Sequence, residues 1–231
     1  MANFPSNNAA NLSAGADSRS VFITRTYTHL VGGILGFILV ELALFESGLA
    51  QSIARFMFGF NWMLILAAFM LTGWLASRTA RTSTSIGMQY FAYAAYVVAE
   101  ALIFVPLLYI ADAKAPGTID SATLITALGA GGLMLVAHRT RKDFSFLRAI
   151  LMWGGVLALV AIIGGVVFGF ALGTWFSVLM IGFAGAAVLY DTSNIIHYSP
   201  QDRYVSAAMQ LFASIALMFW YVLRLMMGSR S

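Results

Sequence analysis

Leu147–Phe170, LRAILMWGGVLALVAIIGGVVFGF, carries a single charge, Arg148, near its start. A run this long and apolar meets the roughly 20 residues that a helix needs to cross a bilayer. Its apolar residues are continuous rather than alternating, which argues against a membrane β-barrel. Working outward, similar runs occur at about Tyr27–Phe45, Phe58–Ser77, Ile86–Ile110, Ile119–Ala137, Thr174–Ile195 and Tyr204–Met227. Backbone polar groups in lipid must bond within their own segment, so each run is expected to be helical. The fold expected is an all-α membrane protein, a bundle of seven transmembrane helices. Two stretches strain the reading. Gly129-Ala130-Gly131-Gly132 makes the fourth span a poor helix former, and Gly169 to Gly173 leaves a very short turn between the fifth and sixth.

Composition agrees. Hydrophobic residues make up 61% of the 231 and charged residues 10%, against about 25% charged in a soluble domain. With no cysteine, disulfides, thiolate metal sites and cysteine catalysis are excluded. The net charge of +4 reads as basic cytoplasmic loops, not as a nucleic-acid surface. Residues 1–20, rich in Asn, Ser and Ala, read as a disordered N-terminal tail with too little apolar surface to offset ordering. Residues 21–231 form the transmembrane domain. The first apolar run has no early cleavage site and is expected to stay as a span.

Lys and Arg set the expected orientation. Nine (Arg19, Arg25, Arg78, Arg81, Arg139, Arg141, Lys142, Arg148 and Arg203) fall in the tail and the loops after spans two, four and six; four (Arg55, Lys114, Arg224 and Arg230) fall opposite. The N-terminus is then cytoplasmic and the C-terminus outside, in a bacterial inner membrane by the short tail and compact loops. Small residues at Gly32/Gly36, Gly155, Gly182/Ala186 and Gly185 suit close helix packing and say nothing about activity.

The functional signal lies in acids at membrane depth, where a charge is rarely kept without a partner or a task. Glu41 and Glu100 each sit about fourteen residues into their helices, roughly 21 Å from the cytoplasmic start; Asp191 lies about six residues, roughly 9 Å, from the cytoplasmic end of span six. An outer pair and an inner single acid form a ladder of the kind a cation or proton path needs. The same acids can be structural, since burial neutralises a carboxyl group, and Pro106 can free a carbonyl to bond Glu100. Asp191 heads the polar cluster Thr192, Ser193 and Asn194, with Asn194 on its face at i+3. Span seven offers Gln210, Ser214 and Tyr221 on one stripe; in a hairpin with span six, Gln210 is expected to meet Asp191, and Ser214 to lie one turn deeper. Such hard oxygen donors suit Ca²⁺ rather than zinc or copper. They are too few for a tight site, so Asp191 is expected to hold Ca²⁺ weakly and transiently, in competition with a proton, with no other cofactor. His29, His138 and His197 lie at helix ends; His197 is placed to tune Asp191. Phosphate-binding loops, HExxH and GxSxG are absent, and the intramembrane protease pattern is not met, so no enzyme is expected.

Thr140-Arg141-Lys142-Asp143-Phe144-Ser145-Phe146-Leu147, Leu189-Tyr190-Asp191-Thr192-Ser193-Asn194-Ile195-Ile196 and Tyr221 to Leu225 resemble the Bax inhibitor-1 (transmembrane Bax inhibitor motif) family, its bacterial YccA-like branch in particular. The resemblance covers nearly the whole chain after the tail. It implies a bundle with six helices around a central last one, and a pH-sensitive Ca²⁺ leak governed by two aspartates in the last two helices. The first maps onto Asp191. The second maps onto Ser214, in Leu211-Phe212-Ala213-Ser214 where the family has Leu-Tyr-Leu-Asp, and the Asn that often follows three residues later is Leu217. A serine there removes the like-charge pair on which such a switch rests. Two functions follow as expectations. One is a pH-modulated Ca²⁺ or proton leak using Asp191, Ser214, Gln210, Asn194, Glu41 and Glu100. The other is a regulator or substrate of a membrane AAA protease, acting in stress or quality control without transport.

Overall fold

A computed structural model describes residues 6–228. Among them are eight helices and no strand: α1 (Ser6–Glu46), α2 (Leu49–Gly59), α3 (Trp62–Thr82), α4 (Ile86–Lys114), α5 (Thr118–Thr140), α6 (Leu147–Phe168), α7 (Gly173–His197) and α8 (Tyr204–Gly228). All but α2 are long and apolar enough to cross a bilayer. Large apolar side chains such as Leu39, Leu128, Trp175 and Leu179 face outward, as they must where the surroundings are lipid.

The glycine-rich run does not interrupt α5, and α4 continues through Pro106. In a bilayer an unpaired backbone group is so costly that helix persists where propensity alone is weak. The linkers end on residues suited to sharp reversal. Gly48, Gly117, Gly169 and Gly173 have positive φ, and Asn61 caps α3 by accepting a 2.9 Å bond from the Met63 N–H.

Sequence reasoning missed α2. This 11-residue helix follows the αL turn at Gly48 and buries Ala50, Ala54 and Met57. Ala50 and Ala54 pack on Val105 of α4. Its presence moves the second crossing from the expected Phe58 to Met63. Of the expected tail, residues 1–5 lie outside the described residues, as does Arg230. From Ser6 the backbone belongs to α1, and the apolar crossing within it starts at Ser18. Phe22, 1% exposed, and the bonds of Arg19 described below anchor that start.

The last helix is central. α8 packs against α7, α1, α5, α4 and α3, and its buried residues run from Val205 to Leu223 on successive turns. Aromatic rings knit it to α4: Phe104 stacks on Phe219 (5.6 Å) and meets Trp220 edge-on (5.0 Å), while Tyr93 and Tyr96 both meet Phe212. Six helices around one is not quite the arrangement. α6 leans on α7 and buries none of its residues.

The close approaches agree only in part with those expected. Gly185 is tightly packed and Gly36 and Gly155 touch a neighbour, but Gly32 and Gly182 face open space, and the tightest approach is at Gly33, which was not among those expected. A Cβ on Gly33 would lie 1.9 Å from the Tyr93 hydroxyl. That hydroxyl uses the space to donate a 3.1 Å bond to the His29 carbonyl.

Candidate functional site at the basic end of the bundle

The ends of α3, α5 and α7 and the starts of α4, α6 and α8 lie at one end of the bundle, called here the basic end for the nine cations assigned to it. α7 and α8 are sequential antiparallel helices with the most extensive contact in the molecule, so residues equally far from their shared loop face each other. Asp191 on α7 and Ser214 on α8 meet about one turn out of that match, which would have put Gln210 opposite the acid. The Ser214 hydroxyl donates a 2.5 Å bond to Asp191 Oδ2. The expected order of partners is therefore reversed: Ser214 bonds the carboxylate, and Gln210 sits one turn nearer the end, where its amide donates to Ser206 Oγ at 3.3 Å.

Asp191, Asn194 and Gln210 line a cavity of about 220 Å³, together with Ile195, Tyr198, Ser199 and Ala207. Four of the six site residues named from the sequence thus gather in one place, with Asp191 half-buried rather than facing open water. Its neighbours there are an amide, a hydroxyl and an asparagine. Among the described residues the one ion pair of the chain is Arg203 with Asp202, and Asp191 has no cation against it. No three His, Asp or Glu side chains among the described residues gather as a metal-binding set. The donors fit a proton, a water or a loosely held cation.

Three further contacts build the wall of this cavity, and sequence reasoning had missed all of them. Arg19 reaches across from α1 and donates to the carbonyls of Ile195 (2.7 Å), Ile196 (3.0 Å) and Ser199 (2.6 Å). A guanidinium satisfies three orphan acceptors at once there, and its charge suits the negative end of α7. Ser193 holds the α5–α6 loop by accepting from the Phe144 N–H (3.1 Å) and donating to the Lys142 carbonyl (3.4 Å). Tyr198 donates to Asp143 in the same loop. That bond, with the Ser145 N–H, holds the exposed Asp143 carboxyl below its usual value, and the same bond raises the Tyr198 phenol. The two motif segments quoted above are therefore in direct contact. Partners as distant in sequence as Arg19 and Ser199 leave no local pattern; only the adjacency of Tyr198 to the end of α7 was open to inspection.

The outer acids lie elsewhere. Glu41 is 7% exposed and Glu100 is 6% exposed. Neither lines the Asp191 cavity. Among the described residues both carboxyl oxygens of Glu41 and Oε2 of Glu100 have no hydrogen-bond partner, while Tyr96 bonds the Glu100 carboxyl group. Tyr221, the third residue of the α8 stripe, packs on Phe176 and lines a second cavity with Glu100.

The histidines are peripheral. His29 bonds the Tyr90 hydroxyl at 2.9 Å, and the His138 ring lies tilted against Tyr27, 5.5 Å between centroids. His197 bonds the Ser193 carbonyl at 3.0 Å and does not line the Asp191 cavity.

The family described as Inhibitor of apoptosis-promoting Bax1 matches residues 19–231. The chain is 33% identical over 103 residues to a protein of Escherichia coli named Modulator of FtsH protease YccA, covering 41% of this chain and 47% of that one. It is 32% identical over 119 residues to a Pseudomonas aeruginosa protein, covering 51% and 53%. The chain spans about half the length of the curated relatives it matches. The Bax match, in contrast, starts at Arg19, the residue that caps α7, and takes in every crossing helix from there: the chain belongs to the Bax inhibitor-1 family and has the bacterial YccA among its relatives.

Proposed function

We propose that this integral membrane protein modulates a membrane-bound AAA protease in the bacterial inner membrane, as a stress or quality-control factor rather than an enzyme. The observation that carries the reading is its similarity to the protein named as a modulator of FtsH protease. Inner-membrane placement has the same support, since a second relative from Escherichia coli is named an inner membrane protein. In this reading the basic end faces the cytoplasm, with the N-terminus inside and the C-terminus outside. The segment before Ser18 is the handle a degradation machine would grip, and Arg19 ties that handle to the wall of the Asp191 cavity.

The test is the half-life of the protein and of a membrane substrate of the protease, in cells with and without this chain. Overproduction should lengthen the substrate's half-life. Removing residues 2–17, which spares Arg19, should lengthen the half-life of the chain itself. Unchanged lifetimes in both measurements would rule the reading out.

A second reading rests on the Asp191 cavity. It is a slow leak for Ca²⁺ or protons, with Asp191 as inner gate, Ser214, Gln210 and Asn194 as neutral donors, and Glu41 and Glu100 as outer relays. Purified protein in liposomes should then pass Ca²⁺, less so for Asp191→Asn. Equal flux in both, or none, removes this reading and leaves the first untouched.

A further inference from the structure

A second cavity, of about 540 Å³, opens in the half of the bundle away from the basic end. It exists because α6 leans on α7 and leaves a gap toward α3, α4 and α8. Its walls are apolar (Leu66, Phe104, Val166 and Trp220 among them), and two charged side chains line it, Glu100 and Arg224.

Glu100 is 6% exposed and its Oε2 has no partner. Tyr96 bonds the same carboxyl group, but an acceptor left buried in apolar surroundings without a bond keeps its desolvation cost, and a donor in the cavity would relieve it. The volume lies within the roughly 300–1,000 Å³ range of small-molecule sites, which are mostly apolar with a few convergent polar groups. Because α6 and α3 flank the opening, a ligand would enter sideways from the bilayer.

We propose that this cavity binds one amphiphile: an apolar chain whose head, an amine or a hydroxyl, donates a hydrogen bond to Glu100. The tail lies along the apolar wall between α4 and α6, and the exposed Arg224 is placed to meet any anionic group on the same molecule. The site is separate from the Asp191 cavity, sharing no lining residue with it.

Trp220 lines the cavity and reports on it. In full-length protein with Trp62, Trp74, Trp153 and Trp175 changed to Phe, the remaining fluorescence is that of Trp220. Bromoundecylamine and bromoundecanol should quench it saturably, and bromoundecane, which has no donor, should not. Glu100→Leu should weaken the amine and alcohol by about tenfold or more. Val166→Phe, at an exposed position on the cavity wall, should do the same by filling space; it tests the site should Glu100→Leu fail to fold. Displacement by lysophosphatidylethanolamine would identify a lipid as occupant, and displacement by dodecylamine alone a free amphiphile; either supports the site. Non-saturable quenching, or equal quenching in wild type and both variants, means bulk lipid fills the gap and overturns the proposal.

Discussion

The two halves of this bundle treat buried acids in opposite ways. At the basic end Asp191 has a hydroxyl donor, polar neighbours and a small cavity, and the surrounding carbonyls are capped by Arg19. In the other half Glu41 and Glu100 lie among apolar side chains with three of their four oxygens unpartnered. A satisfied polar group in a packed interior costs little, whereas an unsatisfied one remains a debt until something binds it. The first half therefore looks built for a fixed geometry, and the second for an occupant.

The strongest test of the contrast is Arg19→Ala. It strands three carbonyls at the end of α7 and should lower stability by about 2–4 kcal/mol in detergent unfolding; no loss would mean that water replaces the guanidinium. Next, replacing an acid should act with opposite sign in the two halves. Asp191→Leu leaves Ser214 without an acceptor and should destabilise by about 1–3 kcal/mol, while Glu41→Met removes an unpaired buried group and should stabilise by a similar amount. A destabilising Glu41→Met would show that Glu41 is satisfied by bound water, which breaks the comparison. A double-mutant cycle between Asp191→Asn and Ser214→Ala should give a coupling of about 1 kcal/mol, and additive effects would mean that the two side chains do not interact.

The smallest effect concerns pH. Asp143 is held below its ordinary value of 3.8 by the Tyr198 hydroxyl and the Ser145 N–H. Its native carboxylate is thus favoured over the unfolded one, so this support is present above the ordinary aspartate value and lost as pH falls below it. Hydrogen exchange in the α5–α6 loop should rise under acid conditions, and Tyr198→Phe should show the faster exchange already at neutral pH. An identical profile in Tyr198→Phe would remove the latch.

Much of this was legible in advance, for a physical reason: a bilayer core allows a chain few options. Runs such as Ala149–Phe168 can only be helices there, so the number of crossings followed from the spacing of apolar runs along the chain. The pairing of Asp191 with α8 was half legible, because consecutive antiparallel helices must match depth. Which of Gln210 and Ser214 bonds the carboxylate depends on a turn of helix, and the sequence reading placed that turn wrongly. α2 escaped notice because an amphipathic helix of 11 residues has neither the length nor the uniform apolarity of a crossing.

The sequence by itself determined an all-helical membrane protein of seven crossings, with three acids at membrane depth, because hydropathy and the need for internal backbone bonding act locally along the chain. Tertiary structure alone decided which acid is satisfied and which is not. It also decided that Arg19 closes the end of α7 and that α6 stands off the bundle to leave a cavity beside Glu100. Those outcomes depend on partners in other helices, 23 residues away for Asp191 and Ser214 and 180 for Arg19 and Ser199, whose meeting is set by the packing of helices and by no local pattern.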